Sequence, residues 1–145
     1  MTTATDNKNT MAFLYKGRKY RCSLELAMEV IGGKWKSLLI FHLRKGAMRS
    51  SALQHSLTDI SNKMFTQSIR ELEADGIVKR EIFPVIPPKV EYSLTEKGKT
   101  LVPIIENLAR WAISICDEVD PEKIKECIGS TENDLTSEKT NNRQE

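Results

Sequence analysis

The chain has 145 residues, of which 39% are hydrophobic and 29% charged, the balance of one globular domain with polar ends. The longest notable apolar run, Leu38-Leu39-Ile40-Phe41, is far short of the roughly 20 residues a membrane span needs, and no apolar signal segment opens the chain. A cytoplasmic protein without membrane contact is expected.

Three cysteines, Cys22, Cys116 and Cys127, form no close pair, which argues against a disulfide framework or a zinc cluster and for a reduced compartment. The net charge of +2 is unevenly spread: residues 1–50 carry +7, residues 51–116 are neutral, and residues 117–145 carry −5. A basic front end suits a polyanionic partner. Residues 1–21 are expected to be a basic, flexible arm, residues 22–117 the folded domain, and residues 118–145 a largely disordered acidic tail.

Leu24, Ala27, Met28 and Ile31 recur at helical spacing from Ser23 and stop at Gly32-Gly33. A second helix from Lys34 to Arg44 is apolar on nearly all sides, as a helix in the middle of a bundle would be. After an extended piece at 47–49, Ser50 or Ser51 is placed to cap a short helix carrying Leu53 and Leu57. Following a turn at 58–60, Ser61 reads as the N-cap of a helix ending at Gly76, with Phe65, Ile69 and Leu72 as its buried stripe. Two such helices joined by a tight turn make a helix-turn-helix.

Ile77 to Phe83 and Lys89 to Leu94 read as strands joined by Pro84-Val85-Ile86-Pro87-Pro88, a stiff projecting loop, so this pair is a hairpin wing. Thr95 then caps a long helix with a kink at Pro103 and an apolar stripe of Leu101, Ile104, Ile105, Leu108, Trp111, Ala112 and Ile115. The expected fold is mainly α with a small antiparallel hairpin, an α+β winged helix-turn-helix.

The face of the Ser61 helix opposite its buried stripe presents Lys63, Thr66, Gln67 and Arg70. Lys and Arg contact phosphates or guanine edges, Gln pairs with adenine, and Thr bonds a phosphate or touches a thymine methyl. Four polar residues in a row of turns are also what an ordinary exposed helix offers; the position, second in a helix-turn-helix and followed by a wing, is what favours double-stranded DNA. Lys79, Arg80, Lys89, Pro87 and Pro88 of the wing, with Ser61, Met64 and Arg49, complete the expected DNA-contacting set. The hairpin cations could instead pair with Glu81 and Glu91.

The runs Gly33-Lys34-Trp35, Ile60 to Gln67, Arg70 to Val78 and Pro84 to Thr95, in that order, resemble the HxlR-type winged-helix regulators of bacteria, relatives of the MarR group. The resemblance covers residues 22–115. It implies a homodimer whose terminal helices pack together, with the Ser61 helix in the major groove. The chain departs from the family after Gly46, where Ala47-Met48-Arg49-Ser50 replaces a proline followed by an Arg-Phe pair. Leu24, Met28, Leu101, Ile105, Leu108, Trp111 and Ile115 are the expected dimer residues, because a domain this small has too little core of its own to cover two such stripes.

Cys22 is the candidate redox sensor. The positive end of the first helix's dipole, with Arg18, Lys19 and Arg21 beside it, favours an anion there, and the resemblance implies a sensing cysteine near the N-terminus. A residue that merely starts a helix is the plainer alternative. His42 and His55 have no metal-pair spacing, and no catalytic motif or cofactor site stands out. Two other classes stay open: a thiol-based redox enzyme using Cys22, and a winged helix used only for protein contacts. The effector, operator and direction of regulation are not legible in the sequence.

Overall fold

The computed structural model describes residues 13–128. Strands β1 (Phe13–Tyr15) and β2 (Arg18–Tyr20) pair antiparallel through a two-residue turn at Lys16-Gly17, both at positive φ, the backbone that matches strand twist in tight hairpins. From Phe13 onward, the segment expected as a flexible arm is therefore a strand pair, with Tyr20 buried against the domain.

Helices α1 (Ser23–Ile31) and α2 (Gly33–Leu43) follow. Leu39, Ile40 and Leu43 of α2 are essentially inaccessible, and the helix packs on α1 and on the later helices, the central role its all-round apolarity calls for. Strand β3 (Met48–Arg49) leads into α3 (Ser50–Ser56). Arg49, not Ser50 or Ser51, holds the N-cap position, and no side chain caps α3: the helix starts one residue earlier than a serine cap requires.

Helix α4 (Asn62–Ala74) is capped by Ser61, whose hydroxyl accepts from the Met64 amide at 3.1 Å. It ends in a Schellman motif, with Ile77 N–H bonded to the Leu72 carbonyl and Gly76 N–H to that of Glu73; Gly76 adopts the left-handed conformation (φ 70°) the motif needs. Its stripe of Phe65, Ile69 and Leu72 is buried as the periodicity requires.

Strands β4 (Val78–Phe83) and β5 (Lys89–Leu94) form the wing, and β3 adds to the free edge of β5, giving the order β3-β5-β4. Tyr92 of β5 meets Phe65 edge-to-face at 6.3 Å, locking the sheet onto α4.

Beyond Thr95 the expected single kinked helix is two helices, α5 (Glu96–Lys99) and α6 (Val102–Ser114). Pro103 lies in the first turn of α6, where its missing N–H costs nothing, so proline starts a helix here rather than bending one. Helix α7 (Pro121–Ile128) occupies part of the expected tail; it packs against α6, and the Arg44 guanidinium donates to the Glu126 carbonyl at 2.5 Å. The rest of that tail, 129–145, and residues 1–12 of the arm lie outside the described residues. Among the described residues, no helix is long and apolar enough to cross a membrane.

Candidate nucleic-acid interface

Burying Phe65, Ile69 and Leu72 turns the opposite face of α4 outward, and Lys63, Met64, Thr66, Gln67 and Arg70 are all exposed on it, with the Ser61 cap at its leading end. Among the described residues, Lys63 and Arg70 have no ion-pair partner, so both charges are available to an incoming anion. Gln67 is engaged, its Nε2 donating to Glu71 Oε1 at 3.2 Å, while Glu71 Oε2 is 2.6 Å from Lys36 Nζ of α2. The Lys36 hydrogen bond, and then that of Gln67, hold the Glu71 carboxyl below the usual carboxylate range.

The wing carries the second group of expected residues. Pro87 and Pro88 are exposed at its tip, where Ile86 is fully accessible; Lys79 is exposed on β4, and Arg49 on the adjoining β3. Arg80 and Lys89 are engaged, Lys89 with Glu91 as the alternative reading of the hairpin has it and Arg80 with a partner on another element. Arg80 Nε lies 3.9 Å from a Glu73 carboxylate oxygen of α4, and Lys89 is 2.9 Å from Glu91 while its ammonium sits 4.9 Å from the Phe83 ring centroid.

The C-terminal end of α4 is clamped by groups the sequence reading missed. Tyr15 donates to the Asp75 carbonyl at 3.4 Å, Lys16 bonds the Ala74 carbonyl and pairs with Asp75 at 3.2 Å, and Lys97 donates to the Asp75 carbonyl at 2.8 Å. Cations here satisfy the last carbonyls and oppose the helix dipole. The signal was thin: an aromatic followed by Lys-Gly in an otherwise basic segment.

The expected dimer residues divide. Leu24 and Met28 of α1, Leu108 and Trp111 of α6 and Ile115 at its C-cap are exposed, as is Ile104. Ile105 is only 6% exposed and belongs to the core, with Leu101 packed against it. A helix can bury only one stripe on its own domain, and α6 uses the Ile105 side for that, so Ile105 is corrected from interface to core, while Leu101 is half-buried at the helix N-cap.

Cys22 is exposed at the N-cap of α1, and its side chain caps nothing. Of the neighbouring cations, Arg18 is spent on Glu29 at 2.8 Å.

Residues 30–120, spanning α2 through α6, match the model of the HxlR-like helix-turn-helix family. The chain belongs to that family. Among HxlR-like relatives, the helix-turn-helix transcriptional regulator YkvN of Bacillus subtilis is 47% identical over 94 residues, covering 65% of this chain and 80% of its own. A regulator of Methanothermobacter thermautotrophicus is 46% identical over 93 residues, covering 64% and 71%. Among solved structures, the redox regulator HypR in its oxidized form superposes with a TM-score of 0.64 at 46% identity, covering 67% of this chain and 100% of that one. The reduced form of the transcriptional regulator YodB from B. subtilis gives 0.58 at 34% identity, covering 70% and 100%. As an HxlR-like protein, the chain is a transcriptional regulator of the helix-turn-helix type, and its α+β winged architecture agrees with these neighbours.

Proposed function

We propose that this chain is a sequence-specific DNA-binding regulator, working in the cytoplasm as a homodimer on a near-palindromic operator and responsive to electrophiles through Cys22. The observation that carries DNA binding is the α4 face: Lys63 and Arg70 are exposed and, among the described residues, without ion-pair partners, one helical turn either side of Thr66 and Gln67, beside an exposed wing. Helix α4 is the recognition helix in this reading, and the wing with Lys79, Arg80, Pro87, Pro88 and Lys89 lies along the neighbouring backbone or minor groove.

Selection from a pool of random duplexes tests this. A near-palindromic motif should emerge, with half-sites about 34 Å apart, and binding should fall steeply between two salt concentrations as phosphate contacts are screened. Lys63→Ala and Arg70→Ala should each weaken the selected site by roughly 1–3 kcal/mol, with unchanged melting. A pool that yields no motif would leave the winged helix as a protein-contact module.

The response to electrophiles rests on the exposed Cys22 sulfur at the start of α1, a helix whose Leu24 and Met28 belong to the proposed dimer surface, and is supported by the redox-regulator description of HypR. A quinone would form a carbon–sulfur bond to Cys22, the thiol proton ending on the quinone oxygen, and the added bulk would disturb that surface. Wild type treated with a quinone should lose operator affinity while Cys22→Ser does not. Equal responses, or none, would remove Cys22 from the mechanism.

A further inference from the structure

Glu71 is a carboxylate on a helix whose face, in the reading above, meets a polyanion, and an unbalanced charge there would repel phosphates. Both its oxygens are occupied. Oε2 lies 2.6 Å from Lys36 Nζ, and Oε1 accepts from Gln67 Nε2 at 3.2 Å. Lys36 is itself held from a second side, donating to the Glu29 carbonyl at 3.3 Å, and its side chain is only 14% exposed. The half-buried lysine thus offsets the charge of the carboxylate from the domain side, although Glu71, like Gln67, is exposed.

A primary amide has a donor end and an acceptor end, and a free glutamine turns either one outward. An ionised carboxylate can only accept, so it takes the nitrogen end of Gln67 and turns the oxygen away from itself. In the major groove, adenine N6 and cytosine N4 donate, whereas guanine and thymine offer acceptors at the matching positions. The geometry points to Glu71 as a specificity-determining residue: by fixing the amide of Gln67, it selects an amine-bearing base, adenine or cytosine, on the strand that Gln67 faces. Adenine is the better fit, since the second hydrogen on Nε2 can serve its N7. This rests on α4 being the recognition helix.

The test takes the selected operator and replaces each base pair in turn, comparing wild type, Glu71→Ala, Glu71→Gln and Gln67→Ala. In wild type, one pair per half-site should lose at least about fivefold in affinity when the amine-bearing base is exchanged for a keto base. Gln67→Ala should flatten that one position. Glu71→Ala should cut the discrimination there below about twofold without weakening binding to random duplex, and Glu71→Gln, which keeps the shape but can donate as well as accept, should also reduce it. A merely structural role for Glu71 would lower all affinities together. Full discrimination retained at the Gln67 position in both Glu71 variants, or no position altered by Gln67→Ala, overturns the assignment while leaving DNA binding standing; a pool that yields no operator overturns both.

Discussion

Gly98 sits where a side chain has no room: a Cβ there would lie 2.1 Å from the Ile77 carbonyl oxygen and 3.0 Å from its carbon. The approach is close because Thr95 ties the start of α5 to the end of α4, its amide donating to the Ile77 carbonyl at 3.0 Å and its hydroxyl accepting from Gly98 N–H at 3.0 Å. Gly98→Ala gains about 1 kcal/mol of helix propensity, but it must push the Ile77 backbone, just ahead of β4, aside, at about 1–3 kcal/mol or more. Net destabilisation is expected, read as a lower denaturant midpoint at unchanged slope; a more stable variant would show that α5 can lift away from Ile77 freely. At this scale the sequence was readable where position on a helix decides. Lys63, Thr66, Gln67 and Arg70 are exposed because Phe65, Ile69 and Leu72 are not. It was unreadable where partner choice decides: Arg80 reaches Glu73 on another element, and Glu71 is matched by Lys36 far away in the chain.

At the scale of elements, legibility follows the length of the pattern. Helix α4 and strand β5 were placed closely because three turns of apolar spacing, or a full alternation bounded by prolines and a threonine cap, leave one consistent register. The strands β1 and β2 have three residues each, too few for alternation to rise above chance, and their basic character suggested an arm instead. The structure gives the hairpin work: Arg18 and Tyr20 hold Glu29 of α1, at 2.8 and 2.5 Å, while Tyr15 and Lys16 hold the C-terminal end of α4. The break between α5 and α6 escaped for a different reason. Apolar phase runs through Leu101 without interruption, and only backbone accounting shows that Pro103 has no N–H to give Lys99 and so begins a helix.

At the scale of the whole molecule, apolar faces of α1 and α6 are left uncovered among the described residues. On α6, Ile104, Leu108 and Trp111, with Ile115 at its C-cap, are each at least half exposed, and on α1 Leu24 is 62% and Met28 49% exposed, whereas Ile105, one residue from Ile104, is 6% exposed. The contrast makes a paired experiment possible. Leu108→Glu places a charge on the proposed two-fold surface without entering the core, so the chain should fold yet run as a monomer in light scattering at micromolar concentration. With only one half-site held at a time, operator affinity should fall by about a hundredfold or more, the loss expected when two linked contacts become independent. Ile105→Glu instead buries an unpaired carboxylate among Leu94, Leu43 and the rest of the core, and should fail to fold at any concentration. A Leu108→Glu protein that stays dimeric and keeps its operator affinity would move the two-fold axis off α6, and the apolar stripe would then require a different partner.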